Sequence, residues 1–190
     1  VFCYWLWTAT ARIPEKEKKD VGLGLTLPIY VSGPASISWW AIFITMLADL
    51  TAFISLVFGY FFFWTIHTDF PPTSSPGPGV FWPTLGGGLL LGAWALTVLA
   101  RRWNRSDQRV AFYSAMWIAI ALAAAGSYAL IAGPWFTGLD PKSHVYPATV
   151  WLLVLWTVCH VAVGVIMQLY CVARRLAGRM TARHDIEIVN

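Results

Sequence analysis

Four apolar runs, at 39–66, 84–100, 110–132 and 148–173, divide this chain of 190 residues, and polar or helix-breaking segments separate them. Crossing the ~30 Å hydrocarbon layer of a bilayer takes about 20 mainly apolar helical residues, a length the second run reaches with its glycine-rich start included. The pattern predicts an all-α fold: a polytopic membrane bundle of four full transmembrane helices. A shorter apolar stretch, Val1 to Trp7, reads as the tail of a fifth helix over 1–9. Residues 10–38 then form a polar connector and 174–190 a polar tail. No polar insertion is long enough to fold alone, so 1–190 is expected to be a single membrane domain, excerpted from a longer chain.

Breakers set the boundaries. The segment from Pro71 to Gly79 carries four prolines and cannot hold a helix, because proline lacks a donor and clashes with the preceding turn. Gly133 and Pro134 are expected to end the third run, and Pro147 suits the first turn of the fourth.

Charge orders the crossings. The basic residues fall in three groups: Arg12, Lys16, Lys18 and Lys19; Arg101, Arg102, Arg105 and Arg109; Arg174, Arg175, Arg179 and Arg183. Short cytoplasmic loops retain Lys and Arg, so all three groups belong inside. The loop at 67–83 has neither residue and that at 133–147 has only Lys142, so both face out. Four crossings satisfy every assignment. At 58% hydrophobic and 12% charged, the chain has about half the charge of an ordinary soluble domain. Its net charge of +4 alternates with the crossings and builds no groove-binding face, which excludes nucleic acid as a partner. Cys3, Cys159 and Cys171 lie in apolar runs, and the last two stand ~18 Å apart along one helix, too far to bridge.

Trp39, Trp40, Trp64, Trp82, Trp103, Trp135, Tyr146, Trp151 and Tyr170 sit near the ends of the crossings, where amphipathic rings anchor in the headgroup zone. Gly86, Gly87, Gly88 and Gly92 give the second helix a small face with a Gly88-to-Gly92 spacing. Ala121, Ala123, Ala124, Ala125 and Gly126 do the same for the third. Helices in lipid associate through close backbone approach, so both faces are expected to be buried.

One residue is out of keeping. Asp49 lies ~15 Å into the first helix, near mid-membrane, where an acid costs a few kcal/mol unless protonated or paired. Thr45 and Thr51 are local candidates for a structural hydrogen bond. His160 lies ~18 Å from the outer face on the fourth helix, at similar depth. An Asp–His pair would satisfy both groups and hold a mobile proton. The alternative is a histidine bonded to a neighbouring backbone or hydroxyl group, because equal depth does not establish equal azimuth. His67, His144 and His184 fall in loops or tails without metal-ligand spacing, so no metal site is expected. Phosphate-binding glycine loops, nucleophile elbows, zinc helices and CxxCH sites are also missing, so no catalytic residue is expected in this segment.

The run from Trp40 through Asp49 to Phe53, continuing as Phe58-Gly59-Tyr60-Phe61-Phe62-Phe63-Trp64, resembles the third helix of subunit III of haem-copper cytochrome c oxidases. There an acid stands mid-helix ahead of an aromatic stretch. The proline-rich loop ending Phe81-Trp82-Pro83 is similar too. Cys159-His160-Val161-Ala162-Val163-Gly164 resembles the family's Leu-His-Val segment, and Arg174 with Met180-Thr181-Ala182-Arg183-His184 resembles the basic stretch after it. Asp49 stands where the family usually has Glu, Thr157 where it has a second His, and Asp185 completes what is usually a His pair.

The resemblance implies the end of helix two through helix six of subunit III, in some bacteria fused behind subunit I. It further implies a non-redox module in the bacterial inner membrane, with both ends of the segment cytoplasmic. Such a module packs beside the haem-copper catalytic subunit, binds phospholipid and supports proton uptake. Asp49 would carry the family's buried carboxylate, and Arg101, Arg102, Arg174 and Arg175 would meet lipid phosphates. Haem and copper are expected in the parent complex and not in this segment; cytochrome c or quinol would supply the electrons. Two other readings use the same residues differently. A proton-coupled transporter would work through Asp49 and His160, and a structural anchor would need neither.

Single-cysteine labelling in a background without Cys3, Cys159 and Cys171 checks the topology. Positions in 67–83 should react in intact cells and positions in 101–109 only after permeabilisation; reaction of both from one side overturns the assignment.

Overall fold

The computed structural model of the protein describes residues 40–73, 75, 77, 79–182 and 188, with the backbone alone at 19–20, 26–27 and 37–39. The proposed 1–9 helix tail, Cys3, most of the 10–38 connector, Arg183 and His184 lie outside the described residues. Within the connector, β1 (Lys19–Asp20) pairs antiparallel with β2 (Thr26–Leu27), Lys19 opposite Leu27. Everything larger is helical: α1 (Ile37–Ile66), α2 (Phe81–Arg105), α3 (Arg109–Phe136) and α4 (Val145–Leu176). All four are long and apolar enough to cross a membrane, the architecture of a multi-pass membrane protein.

The helices outrun the apolar runs. α2 begins at Phe81 and takes Pro83 into its first turn, where a missing N–H costs nothing. α3 does not stop at Gly133 and Pro134 as expected but runs to Phe136. So close to the end, proline deprives only one preceding carbonyl of a donor, which a membrane helix tolerates. The stop comes at Gly138, whose φ of +70° closes a Schellman turn: Gly138 N–H donates to Trp135 and Leu139 N–H to Pro134. Asp107 (φ +53°) and Gly178 (φ +70°) close α2 and α4 the same way.

α2 and α3 form the tightest pair. Gly86, Ala93 and Ala100 recur every seven residues on α2's buried stripe, which faces Ala115, Ala119, Ala123, Gly126 and Ala129 among the buried residues of α3. Closest approach is between Gly86 and Gly126, where a Cβ on Gly86 would stand 2.9 Å from Leu130 Cγ and 3.1 Å from the Gly126 carbonyl. The expected Gly88–Gly92 spacing is not the contact: space around Gly88 is open, and Gly92 meets only Leu122 at 3.4 Å. Ala121, Ala124 and Ala125 likewise point outward, since successive residues 100° apart cannot share one face.

α4 packs on α3, and α1 packs on α4. At the end carrying the arginines, Ala100, Phe112, Ala115, Met116, Cys171, Val172 and Met180 form one core. At the other end Phe70, Leu139 and Tyr146 form a second, against which Tyr60 and Phe63 of α1 pack. Tyr146 is therefore a core residue in contact with Phe70 (ring centroids 5.4 Å apart), not a ring facing the headgroups as expected. Trp151 ties α4 to the preceding loop by donating from Nε1 to the Leu139 carbonyl at 2.7 Å.

Gly86→Ala and Gly126→Ala should each destabilise the α2–α3 pair by about 1–3 kcal/mol through overpacking, whereas Gly88→Ala should cost nothing. Thermal unfolding in detergent reads the difference; equal effects at Gly86 and Gly88 would refute the assigned contact.

Candidate functional site

Asp49 stands on α1 with Thr45 and Thr51 one turn or less away, yet neither hydroxyl reaches it. Thr45 donates to the Ala41 carbonyl and Thr51 to the Leu47 carbonyl, each at 2.8 Å, the usual resort of a hydroxyl in an apolar helix. The carboxylate instead meets α4: His160 Nδ1 lies 2.7 Å from Asp49 Oδ2. Of the two arrangements open to His160, the structure thus takes the one that joins it to the acid. At this distance the groups form a charge-assisted hydrogen bond when the imidazole is protonated.

The pair is not enclosed. His160 keeps 45% of its side chain exposed and Asp49 32%. No further hydrogen bond to either side chain occurs among the described residues. They line a groove of about 480 Å³ together with Phe43, Met46, Leu47, Leu50 and Phe53 of α1 and Trp156 and Thr157 of α4. Thr157 turns its hydroxyl back to the Leu153 carbonyl at 2.9 Å, so the lining beside the pair is largely apolar. Trp156 keeps its indole Nε1 buried without a partner. No third His, Cys, Asp or Glu joins the pair to make a metal-ligand set among the described residues. Proton exchange and hydrogen bonding are what the arrangement can do.

The four arginines expected at lipid phosphates separate. Arg102 is exposed, and Arg101 and Arg174 are half-buried. Arg175 turns inward, with a side chain 4% exposed, and so is not placed to meet lipid. It donates to Asp107 Oδ1 at 2.6 Å and to the Met180 carbonyl at 3.3 Å, and its guanidinium lies 5.9 Å from the Phe112 ring centre. One side chain thereby joins the α2–α3 turn to the end of α4.

Sequence reasoning missed Asp107, the partner that takes Arg175 from the lipid; its place between Ser106 and Gln108 in a tight basic turn was the available signal. It also missed Gln168, an amide inside an apolar run, which donates to Thr97 Oγ1 at 2.8 Å and bonds α4 to α2. Buried Asn104 adds a third link, from Nδ2 to the Thr181 carbonyl at 3.3 Å. His144 caps α4 by accepting from Tyr146 N–H at 3.1 Å, and His67 follows the end of α1.

No protein-family model matches the sequence, and no curated protein matches it.

The Arg175–Asp107 contact should respond asymmetrically to mutation. Asp107→Ala leaves a buried guanidinium short of its acceptor and should destabilise by roughly 1–3 kcal/mol. Arg175→Met leaves an acid that is 60% exposed and already solvated, and should cost less. Paired unfolding measurements check the order, and the reverse order would contradict the burial described.

Proposed function

We propose that the chain is a non-redox, subunit III-like module of a respiratory haem-copper terminal oxidase, stabilising the catalytic subunit, binding phospholipid and supporting proton uptake. The observation that carries this reading is the 2.7 Å contact of Asp49 with His160 across α1 and α4. These are the acid and the histidine on which the resemblance of the two helices rests. An acid inside a membrane is functional by default, and one in contact with an imidazole has a partner with which to share a proton.

In this reading the haem and copper belong to the partner subunit, which oxidises cytochrome c or quinol, reduces oxygen to water and pumps protons. The segment lies in the bacterial inner membrane with its arginine-rich ends in the cytoplasm. Arg101, Arg102 and Arg174 then remain for lipid phosphates, since Arg175 is engaged with Asp107. A carrier working by alternating access is less well supported. Carrier sites are built from helices broken at mid-depth, whereas Ile37–Ile66 and Val145–Leu176 run unbroken past Asp49 and His160.

The test is purification of the intact complex through a tag on this chain. Haem absorbance and copper should accompany it, and Asp49→Asn should lower proton uptake and shorten turnover lifetime severalfold while leaving haem content unchanged. No haem or copper removes the oxidase assignment. Unchanged initial rate, proton yield and lifetime in the variant leave only the structural anchor.

A further inference from the structure

We propose that the groove over Asp49 and His160 is a binding site for the headgroup of an isoprenoid quinone or quinol. This goes beyond the oxidase reading and rests on the groove alone.

Three features define the ligand. First, the site opens at mid-depth between two helices that are apolar enough to cross a membrane, so its ligand must arrive dissolved in the bilayer. Second, the groove's polar pair is open: 45% of the His160 side chain and 32% of the Asp49 side chain remain uncovered. An acyl chain laid over them would leave an acid and an imidazole against hydrocarbon, which costs several kcal/mol. The ligand therefore carries hydrogen-bonding oxygen at its head. Third, Phe43, Phe53 and Trp156 line the walls, which favours a flat ring that can stack. A volume of about 480 Å³ lies within the usual range for small-molecule pockets. The α1 wall extends from Phe43 to Phe53, ~15 Å along the helix, which gives an apolar tail a track toward the lipid.

The pair suits both redox forms of such a ring. With Nδ1 of His160 turned to Asp49, Nε2 of the neutral imidazole accepts from a quinol hydroxyl, and the imidazolium donates from Nε2 to a quinone carbonyl. A partner helix covering the groove would compete for the same surface, and the experiment separates the two.

The full chain in its native membrane is photolabelled with an azido derivative of decylubiquinone. Label should concentrate on residues 43–53 and 156–160 and be displaced by excess decylubiquinone. His160→Leu and Asp49→Asn should each weaken displacement about tenfold, the loss of one charge-assisted hydrogen bond. Met46→Trp, which fills the groove while keeping both members of the pair, should abolish the label with no change in melting. Leu91→Ala, on the exposed face of α2, should leave it unchanged. Label spread evenly over the lipid-facing helices, label that excess quinone does not displace, or cross-linking of these residues to another protein with no quinone label would overturn the site. Haem and copper content is read separately: their absence beside a saturable label removes the oxidase reading alone, and their presence without it removes this site alone.

Discussion

A charged or polar side chain in hydrocarbon has to find its partner within the protein, and the meeting of Asp49 with His160 is where this chain meets that requirement most directly. α1 has no buried residue from Trp40 to Ile66 and packs on α4. Between two apolar helices in lipid, no hydrophobic force supplies the attachment. What holds α1 is the acid–imidazole contact at mid-depth, with the rings of Tyr60, Phe63, Phe70 and Tyr146 at one end. The pair is thus structural, and in the proposed function chemical as well, and these roles draw on different properties. Attachment needs any hydrogen-bonding partner, whereas proton exchange needs these two titratable groups.

The same requirement sorts the other polar side chains. Thr45, Thr51, Ser55, Ser127 and Thr157 satisfy their hydroxyls on carbonyls of their own helices and so join nothing. Side chains too long for that solution become cross-links. Gln168 reaches Thr97, and Arg175 reaches Asp107 and the Met180 carbonyl. These links gather on α2, α4 and the turns beside them toward the arginine-rich end, where α3 also contributes Phe112 and Met116 to a shared core. The bundle is therefore pinned firmly at one end and more loosely along α1.

Much of this was legible in the sequence, at the level of position along each helix. The apolar runs give the four crossings, and rise per residue puts Asp49 and His160 at one depth. Azimuth was not legible, and the misassigned contacts trace to it. Depth alone left His160 free to meet a backbone group. Adjacent alanines at 123, 124 and 125 look like one small face, yet only Ala123 is buried. Arg174 and Arg175 read as equivalent cations, but a 100° turn sends Arg175 inward to Asp107. Helix ends were misplaced for a separate reason: prolines at 83 and 134 lie where a lost donor is cheap, so they do not terminate what they appear to terminate.

The groove follows from how unlike the two helix contacts are. Where Gly86 meets Gly126, backbones approach until a single added carbon would collide, and no space is left for a ligand. α1 and α4 also carry glycines, Gly59 and Gly164, but neither has a neighbour within 4 Å of where a Cβ would stand, so neither draws the helices together. Facing the pair are Phe43, Met46, Leu47, Leu50, Phe53 and Trp156, side chains too large to let the backbones close. Bulk holds α1 off α4 while Asp49 and His160 hold it on. The balance of these opposed tendencies leaves a crevice between the two helices, lined by large apolar side chains and by the pair itself.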